Sequence, residues 1–293
     1  MESLRGQAAR HKTKITRLND GGASALSSDA YRKLFTNDKI ARAIEQIYQT
    51  YGDTVSVEAK AKSLNKYGRN DSLGNTSFET VWQRGGNETY ATGNDIDSIS
   101  SSSAGDTQDV VIEGHTIDGN GDLTFVVQTA TLNGQTPVTL STPLYRATRL
   151  YNDGSTDFAG TVYVYESGGT VTGGVPQTSA DIHIQSSGAN NQSLKAATSL
   201  SSVDYWLVSQ ITVAVNRQQT RSVDFRLQVR NKGKVFRTRY ATAAHSNSGA
   251  VTIDLDPYLI IPPNSDVVMK AQSSGTGTGV TASINGHLAI VQS

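Results

Sequence analysis

The spacing of hydrophobic residues changes along this chain from a helical repeat to a strand repeat. Between residues 37 and 51 the large apolar side chains recur every three or four positions, as on one face of a helix. The pattern predicts a helix that ends before Gly52. Its apolar stripe consists of Ile40, Ile44, Ile47, Tyr48 and Tyr51. Because a single helix cannot cover its own stripe, it packs either on its own β domain or on a neighbouring subunit.

From about residue 78 onward, apolar and polar residues alternate in short runs. The runs are separated by turn-forming sequences such as DGNGD at 118–122, NDGS at 152–155 and NKGK at 231–234. No helix of about 12 residues fits between them, which argues against a parallel α/β sheet. The pattern therefore predicts a mainly β protein, with an antiparallel β-sandwich or jelly-roll region preceded by a short helical N-terminal segment.

The charges of the chain are unevenly distributed. Lys and Arg number 26 in total, as do Asp and Glu, so the formal net charge is zero. However, residues 1–70 carry 13 basic and 7 acidic residues, residues 71–190 carry 3 and 14, and residues 191–293 carry 10 and 5. A folded domain gains little from such sorting, whereas copies that meet in a fixed orientation gain complementary surfaces. The charge pattern favours an assembly protein.

These features divide the chain into four parts. We predict a basic N-terminal arm at 1–27, a helical segment at 28–70, an acidic β-sandwich region at 71–190 and a basic β-sandwich region at 191–293. The Gly- and Ser-rich stretch at 168–192 coincides with the second change of charge. Whether the two β regions form one domain or two stays open at this stage.

The N-terminal arm has basic residues but no hydrophobic stretch after them, so it does not fit a secretory signal. It is either a disordered tail or an arm that becomes ordered along a neighbouring subunit or a phosphate backbone. Its basic residues are Arg5, Arg10, Lys12, Lys14 and Arg17.

A basic ribbon is predicted near the end of the chain. A two-residue hairpin centred on Lys232 and Gly233 would place Arg226 opposite Arg239 and leave Phe225, Leu227 and Val229 on the core face. The ribbon is either a solvated sheet face or a surface that docks on the acidic region of another copy. Nucleic-acid recognition is disfavoured because the ribbon lacks interleaved exposed aromatics. The ribbon consists of Arg226, Arg230, Arg237 and Arg239.

The sequence offers little catalytic chemistry. It has no cysteine, and its five histidines lie far apart and outside metal-ligand spacing. Asp118, Asn120 and Asp122 resemble the start of a calcium loop, but Leu123 stands where such a loop needs glycine, so a hairpin turn is favoured. We predict no catalytic residue, no metal and no cofactor, and hence a protein that is not an enzyme.

Several strand and turn sequences resemble one known protein family. They include IDSISSSSAGDTQD at 96–109, LNGQTPV at 132–138, GTVYVY at 160–165, FRLQVR at 225–230 and GKVF at 233–236. In these runs residues 75–293 are similar to the β-sandwich virion structural proteins of tailed bacteriophages, particularly marine ones. The helical leader lies outside the resemblance.

The resemblance implies a non-enzymatic virion component. We expect a capsid-associated protein, either a capsid protein or a decoration or cement protein, that forms a homo-oligomer. Its partners would be copies of itself and other proteins of the capsid shell, and its location the virion after synthesis in the host cytoplasm. No membrane partner is expected, since no apolar run approaches the roughly 18 residues of a membrane span.

The alternative is a head or tail fibre or attachment protein that binds host-surface saccharide. Such a protein needs exposed aromatic residues beside amides or acids. The candidates in this sequence are Trp82, Tyr90, Tyr205 and Trp206, each of which alternates with residues that would also suit a core position.

Overall fold

The computed structural model describes residues 46–47, 56–216 and 220–292. Within these ranges the chain is mainly β, and its strands form several antiparallel sheets. This confirms the predicted mainly β class. The N-terminal arm and most of the predicted helical segment lie outside the described residues. Gln46 and Ile47 of that segment are described and are helical.

The first part of the fold, called the terminal unit, combines both ends of the described β region. Its strands are β1 (Ser56–Leu73), β2 (Glu79–Thr80), β12 (Ala197–Ser199), β13 (Asp204–Asn216), β14 (Ser222–Asn231), β15 (Arg237–His245), β16 (Ala250–Ile261), β17 (Ser265–Ser273) and β18 (Thr278–Gln292). One sheet has the order β1-β18-β13-β16. The other has the order β12-β17-β14-β15, with β2 paired to β17.

Alternating side chains of both sheets fill one hydrophobic cluster in the terminal unit. On β14 the residues Phe225, Leu227 and Val229 are buried, which confirms the core face predicted for this strand, and the buried Val223 extends it. Trp206 of β13 contributes a fully buried side chain from the other sheet. Burial of such side chains contributes about 1.5–3 kcal/mol each, so this alternation stabilises the pairing of the two sheets.

The second part, called the inserted unit, lies between β2 and β12 in the sequence and spans residues 91–190. Its strands are β3 (Ile96–Ser101), β4 (Asp109–Ile117), β5 (Leu123–Thr131), β6 (Val138–Leu144), β7 (Arg146–Asn152), β8 (Val162–Glu166), β9 (Val171–Thr172), β10 (Val175–Pro176) and β11 (Ile182–Ser186). They form sheets in the orders β11-β8-β3-β6 and β5-β4-β7, and a ribbon of β9 and β10. A separate hydrophobic cluster lies within this unit.

Two of the predicted boundaries between parts of the chain differ from those in the structure. The helical segment was expected to extend to residue 70, but residues 56–70 belong to β1, which pairs with β18 at the far end of the chain. Residues 71–88 also lie with the terminal unit, where Val81 is part of the core and β2 joins β17. The sequence of β1 is largely polar, so its pairing with a distant strand, rather than a local hydrophobic repeat, determines its structure.

The register of the β14–β15 hairpin also differs from the prediction. Lys234 donates its backbone N–H to the carbonyl of Asn231, and Gly233 has a φ of 68°, as the predicted turn requires. However, β15 begins only at Arg237, and a bulge lies between Leu227 and Gln228. Arg226 is therefore opposite Ala241, so its predicted pairing with Arg239 is wrong.

Candidate functional site

The two units are joined by a buried ion pair. Arg146 opens β7 of the inserted unit, and its Nε lies 3.0 Å from Oδ1 of Asp266 in β17 of the terminal unit. Their side chains are only 5% and 10% exposed. Arg146 also donates to the carbonyls of Ala91 and Tyr145. Because Arg146 is buried and bonded on several sides, the pair fixes the orientation of one unit against the other.

Asp266 is the centre of this arrangement. Besides Arg146, it accepts hydrogen bonds from the hydroxyl of Ser199 at 2.6 Å and from the guanidinium of Arg230. Burial alone would raise the pKa of Asp266, but the two arginines and Ser199 hold that pKa below its ordinary value. The carboxylate is thus charged, and both of its oxygens accept hydrogen bonds from residues of its own chain.

Aromatic rings enclose the two arginines. The guanidinium of Arg146 lies 3.6 Å from the ring centre of Tyr145 and 4.9 Å from that of Tyr90. The guanidinium of Arg230 lies 4.2 Å from the ring centre of Tyr90 and 4.6 Å from that of Phe236. These contacts keep water from the ion pair and add cation–π attraction. We call Tyr90, Tyr145, Arg146, Arg230, Phe236 and Asp266 the junction cluster.

A second buried ion pair lies at the edge of the terminal unit, and its lysine bonds to the inserted unit. Lys195 and Glu88 form the pair, with side chains almost completely buried. The ammonium of Lys195 also donates to the carbonyls of Ala147 at 3.0 Å and His183 at 3.1 Å, both in the inserted unit. The two ion pairs make the junction between the units charged rather than apolar.

A cleft of about 480 Å³ opens beside this junction and has walls from both units. Lys66 of β1 is buried in its wall, and within the described part of the chain its one hydrogen bond is a long one of 3.4 Å to the carbonyl of Thr148. Burial lowers the pKa of Lys66 to about 8, despite the opposing effect of Glu113. The cleft thus holds a cation whose hydrogen-bonding capacity is largely unused.

His115 of β4 lies in the same wall and is also buried. Its Nδ1 has no hydrogen-bond partner among the described residues. Burial, and secondarily the charge of Lys66, lower the pKa of His115 to about 3, so the ring is neutral near pH 7. A neutral imidazole both donates and accepts hydrogen bonds.

The mouth of the cleft is partly apolar. Phe125 and Val127 of β5 line it and are 40% and 56% exposed. The ammonium of Lys62 lies 5.3 Å from the ring centre of Phe125. Arg149 forms an ion pair with Glu113 at 3.6 Å, so both signs of charge are present beside the apolar surface.

The structure places the four arginines of the predicted basic ribbon in different environments. Arg230 belongs to the junction cluster and is bound to Asp266 of its own chain. Arg226 is exposed, stacks at 3.8 Å on the ring of Phe78 and lies opposite Lys270 in β17. The remaining two, Arg237 and Arg239, are exposed on β15, which is the edge strand of its sheet. Three of the four arginines therefore face solvent in a single copy.

Of the predicted helical stripe, Ile47 alone lies among the described residues. It is almost fully buried, in a cluster with Tyr205, Leu207, Tyr258 and Ala289 of the terminal unit. At this position the stripe packs on its own β domain. The rest of the stripe (Ile40, Ile44, Tyr48 and Tyr51) and the arm residues Arg5, Arg10, Lys12, Lys14 and Arg17 lie outside the described residues.

The aromatic residues predicted as saccharide-binding candidates are mostly core residues. Trp82, Tyr205 and Trp206 are buried, and Tyr90 is held in the junction cluster. Among the described residues, the large exposed aromatic rings are those of Tyr67 and Phe125, neither of which was predicted as a candidate. Strict alternation in β5 places Phe125 on the same face as the buried Leu123 and therefore predicts that Phe125 is buried, whereas the structure exposes it.

The described part of the chain shows neither a metal cluster nor a membrane helix. Among its residues no group of three or more His, Cys, Asp and Glu side chains is arranged to hold a metal ion. Asp118 accepts backbone hydrogen bonds from Asn120 and Asp122, as a hairpin turn requires and as the sequence favoured over a calcium loop. No helix in the described ranges is long and apolar enough to cross a membrane.

Comparisons with known proteins give no family assignment. No family model matches the chain, and no curated protein does. Among solved structures, the infectious bursal disease virus Gt strain matches at 8% identity and a TM-score of 0.20, covering 82% of this chain and 72% of that one. The T13 particle of the same virus matches at 9% identity and 0.21, covering 87% and 76%.

The tandem CBM22 domains of Paenibacillus barcinonensis Xyn10C match at 15% identity and a TM-score of 0.21, covering 81% of this chain and 90% of that one. Because these likenesses are so remote, the function has to be inferred from the residues of the chain itself.

Proposed function

We propose that this chain is a non-enzymatic structural component of a bacteriophage virion, a capsid-associated protein that assembles with copies of itself. On this proposal the terminal and inserted units are two β-sandwiches, and the described surface is that of one subunit in a shell. The observation that carries the proposal is the separation of charge between the units. The sequence resemblance of residues 75–293 to tailed-phage virion proteins supports the choice of particle.

The inserted unit supplies the acidic partner surface. Residues 91–190 contain 11 Asp and Glu residues against two arginines, and one of these, Arg146, is buried in the junction cluster. Asp106 does not belong to this surface, because it is fully buried and accepts hydrogen bonds from the backbone of Ala159 and Gly160. The exposed acids are Asp95, Asp109, Asp118, Asp153 and Asp157.

The edge strand β15 supplies the basic surface. Arg237 and Arg239 are exposed there, as is Lys234 in the preceding turn, whereas Lys232 of that turn is paired with Asp122 of its own chain. An edge strand also presents unpaired backbone groups, which favour contact with another chain. Contact between this edge and the acidic unit of a second copy would be steered by opposite charge.

Reversing the charge of this edge tests the proposal. The double variant Arg237→Glu, Arg239→Glu is expected to weaken self-association by about tenfold to a hundredfold, since two favourable charge pairs become repulsive. Sedimentation velocity of the full chain at low salt measures the change, and thermal unfolding checks the fold.

The matched control is Lys62→Glu, Arg69→Glu, which reverses two exposed charges on β1 and leaves β15 intact. Association unchanged in the β15 variant, or equally weakened in the control, would contradict docking through this edge. Rescue by Asp153→Arg, Asp157→Arg in a second copy would identify those acids as the partner surface.

The N-terminal arm is proposed as a second assembly element. Because Ile47 is part of a hydrophobic cluster, the informative truncation removes residues 1–45 and keeps this anchor. The truncated chain is expected to unfold at nearly the same temperature as the full chain, but to enter particles poorly. Co-expression with the other particle proteins, followed by purification of particles, measures incorporation. Incorporation of the truncated chain at the level of the full chain would contradict an assembly role for the arm.

A head or tail fibre protein that binds saccharide is the second candidate. The observation that favours it is the cleft between the units, with an apolar mouth and underused polar groups in its wall. Either role is non-enzymatic, so purified protein is expected to show no turnover of glycans, esters or nucleic acids.

A further inference from the structure

We infer that the cleft between the terminal and inserted units is a binding site for a saccharide that carries a carboxylate group. This inference goes beyond the proposed virion role and holds for a shell protein or a fibre alike. It rests on three features of the cleft: a buried cation with unused donors, neighbouring groups that can bind hydroxyls, and an exposed aromatic ring at the mouth.

Lys66 provides the site for the carboxylate. Its ammonium has three donors, but within the described residues it makes one hydrogen bond, of 3.4 Å, to Thr148. A buried polar group is normally bonded, and leaving donors of a buried cation unused is costly. A carboxylate from a ligand would satisfy these donors with charge-assisted hydrogen bonds.

Groups suited to hydroxyls lie beside Lys66. His115 has an Nδ1 without a partner among the described residues, and Glu113 lines the same cleft. A neutral imidazole and a carboxylate both accept hydrogen bonds from hydroxyl groups. A bare inorganic anion would leave these acceptors unsatisfied, whereas a polyhydroxylated acid would use them.

The mouth suits the apolar face of a sugar ring. Phe125 and Val127 are the large exposed apolar side chains of β5, and Phe125 lies directly against His115 with their ring centres 5.4 Å apart. Sugar rings stack on aromatic faces through their C–H groups, which buries apolar area on both partners. The volume of about 480 Å³ accommodates one or two sugar residues and lies within the usual range for ligand sites.

The charge of the cleft favours an acidic sugar over a neutral one. Lys62, Lys66 and Arg149 line it against Glu113 and Asp204, which leaves a net positive charge. Arg149 is already paired with Glu113, and Lys62 is exposed over the ring of Phe125, whereas Lys66 is buried with donors unused and is the cation best placed to select a carboxylate. Specificity for the acid therefore depends mainly on one buried residue.

Titration of the full chain with small saccharides tests the inference. We expect D-glucuronate, D-galacturonate or N-acetylneuraminate to bind with a dissociation constant of about 0.1–10 mM, and D-glucose at least about tenfold more weakly. Calorimetry measures affinity, and the imidazole NMR signals of His115 report whether the ligand enters this cleft. Acetate at the same ionic strength measures binding of a bare carboxylate.

Variants connect the binding to the cleft. Lys66→Gln is expected to weaken binding of the acidic saccharide by at least about tenfold while leaving D-glucose unaffected. Phe125→Ala, at an exposed position, is expected to weaken the binding of both the acidic saccharide and D-glucose. This variant remains informative if Lys66→Gln does not fold. The control is Lys270→Gln, a half-buried lysine of β17 that binds Asn87 outside the cleft.

The inference is overturned if none of the three acids binds at about 20 mM, since a usable site needs at least millimolar affinity. Equal binding of acetate and the acidic sugars would show an anion site without saccharide recognition, which also overturns it. So would an affinity unchanged by both Lys66→Gln and Phe125→Ala, because the ligand would then lie elsewhere.

Discussion

Replacing Asp266 with alanine is expected to lower the free energy of unfolding by about 3–5 kcal/mol, the cost typical of breaking a buried ion pair. Removal of this carboxylate leaves the buried guanidinium of Arg146 without its counter-ion, and it also takes an acceptor from Ser199 and Arg230. Urea unfolding followed by circular dichroism at pH 7 measures the loss.

The control is Asp254→Ala, which removes an exposed carboxylate bonded to Gln210 and should cost less than about 0.5 kcal/mol. Combining Asp266→Ala with Arg146→Met should recover part of the stability, because the unpaired buried charge disappears. A loss below about 1 kcal/mol for Asp266→Ala would show that the ion pair does not stabilise the junction between the units.

Much of the fold class was predictable because its signals are local. Alternation marks the strands, and a glycine with positive φ marks the turn at 231–234. The predicted hairpin correctly places Phe225, Leu227 and Val229 in the core, and all three are buried. Each of these features depends on residues only a few positions apart.

The arrangement of the units was not predictable in the same way. β1 pairs with β18 across almost the whole described chain, and nothing in its polar sequence specifies that partner. The bulge that moves Arg226 away from Arg239 is likewise a property of the assembled sheet, in which β14 is also held by β17. Long-range pairing therefore determined both errors.

The junction cluster was missed because buried charges look like surface charges in a sequence. Arg146 and Asp266 are 120 residues apart and follow turns, where charged residues are normally solvated. Lys66 and Lys195 are equally inconspicuous. The one available signal was the scarcity of basic residues in 71–190, which makes each arginine there a candidate for a specific partner.

Acidification below about pH 6.5 is expected to destabilise the protein, because two of its histidines are buried in the neutral form. Burial lowers the pKa of both His115 and His183 to about 3, against about 6.5 for an unfolded histidine. Between these values the unfolded state binds protons that the folded state does not, so stability falls as pH decreases. The slope is about 1.4 kcal/mol per pH unit for each histidine.

Asp266 does not contribute to this slope between about pH 6.5 and 4, since the stabilisation from its lowered pKa is lost only below the unfolded value of about 3.9. His183 contacts Glu166, whose pKa burial raises, and protonation of that carboxyl offsets part of the loss. The charges that act on His115 are those of Lys66, Asp266 and Arg146, which stay charged between pH 6.5 and 4. His115 is therefore the better position to test.

His115→Phe is expected to remove about half of the pH dependence across that window, because one of two buried histidines no longer titrates. A phenylalanine also keeps the edge contact with Phe125. Urea unfolding at half-unit steps of pH measures the slope for wild type, for His115→Phe, and for His245→Gln as a control at an exposed histidine. If His115→Phe has the wild-type slope, protons do not enter through His115 on unfolding, and its burial as a neutral ring is refuted.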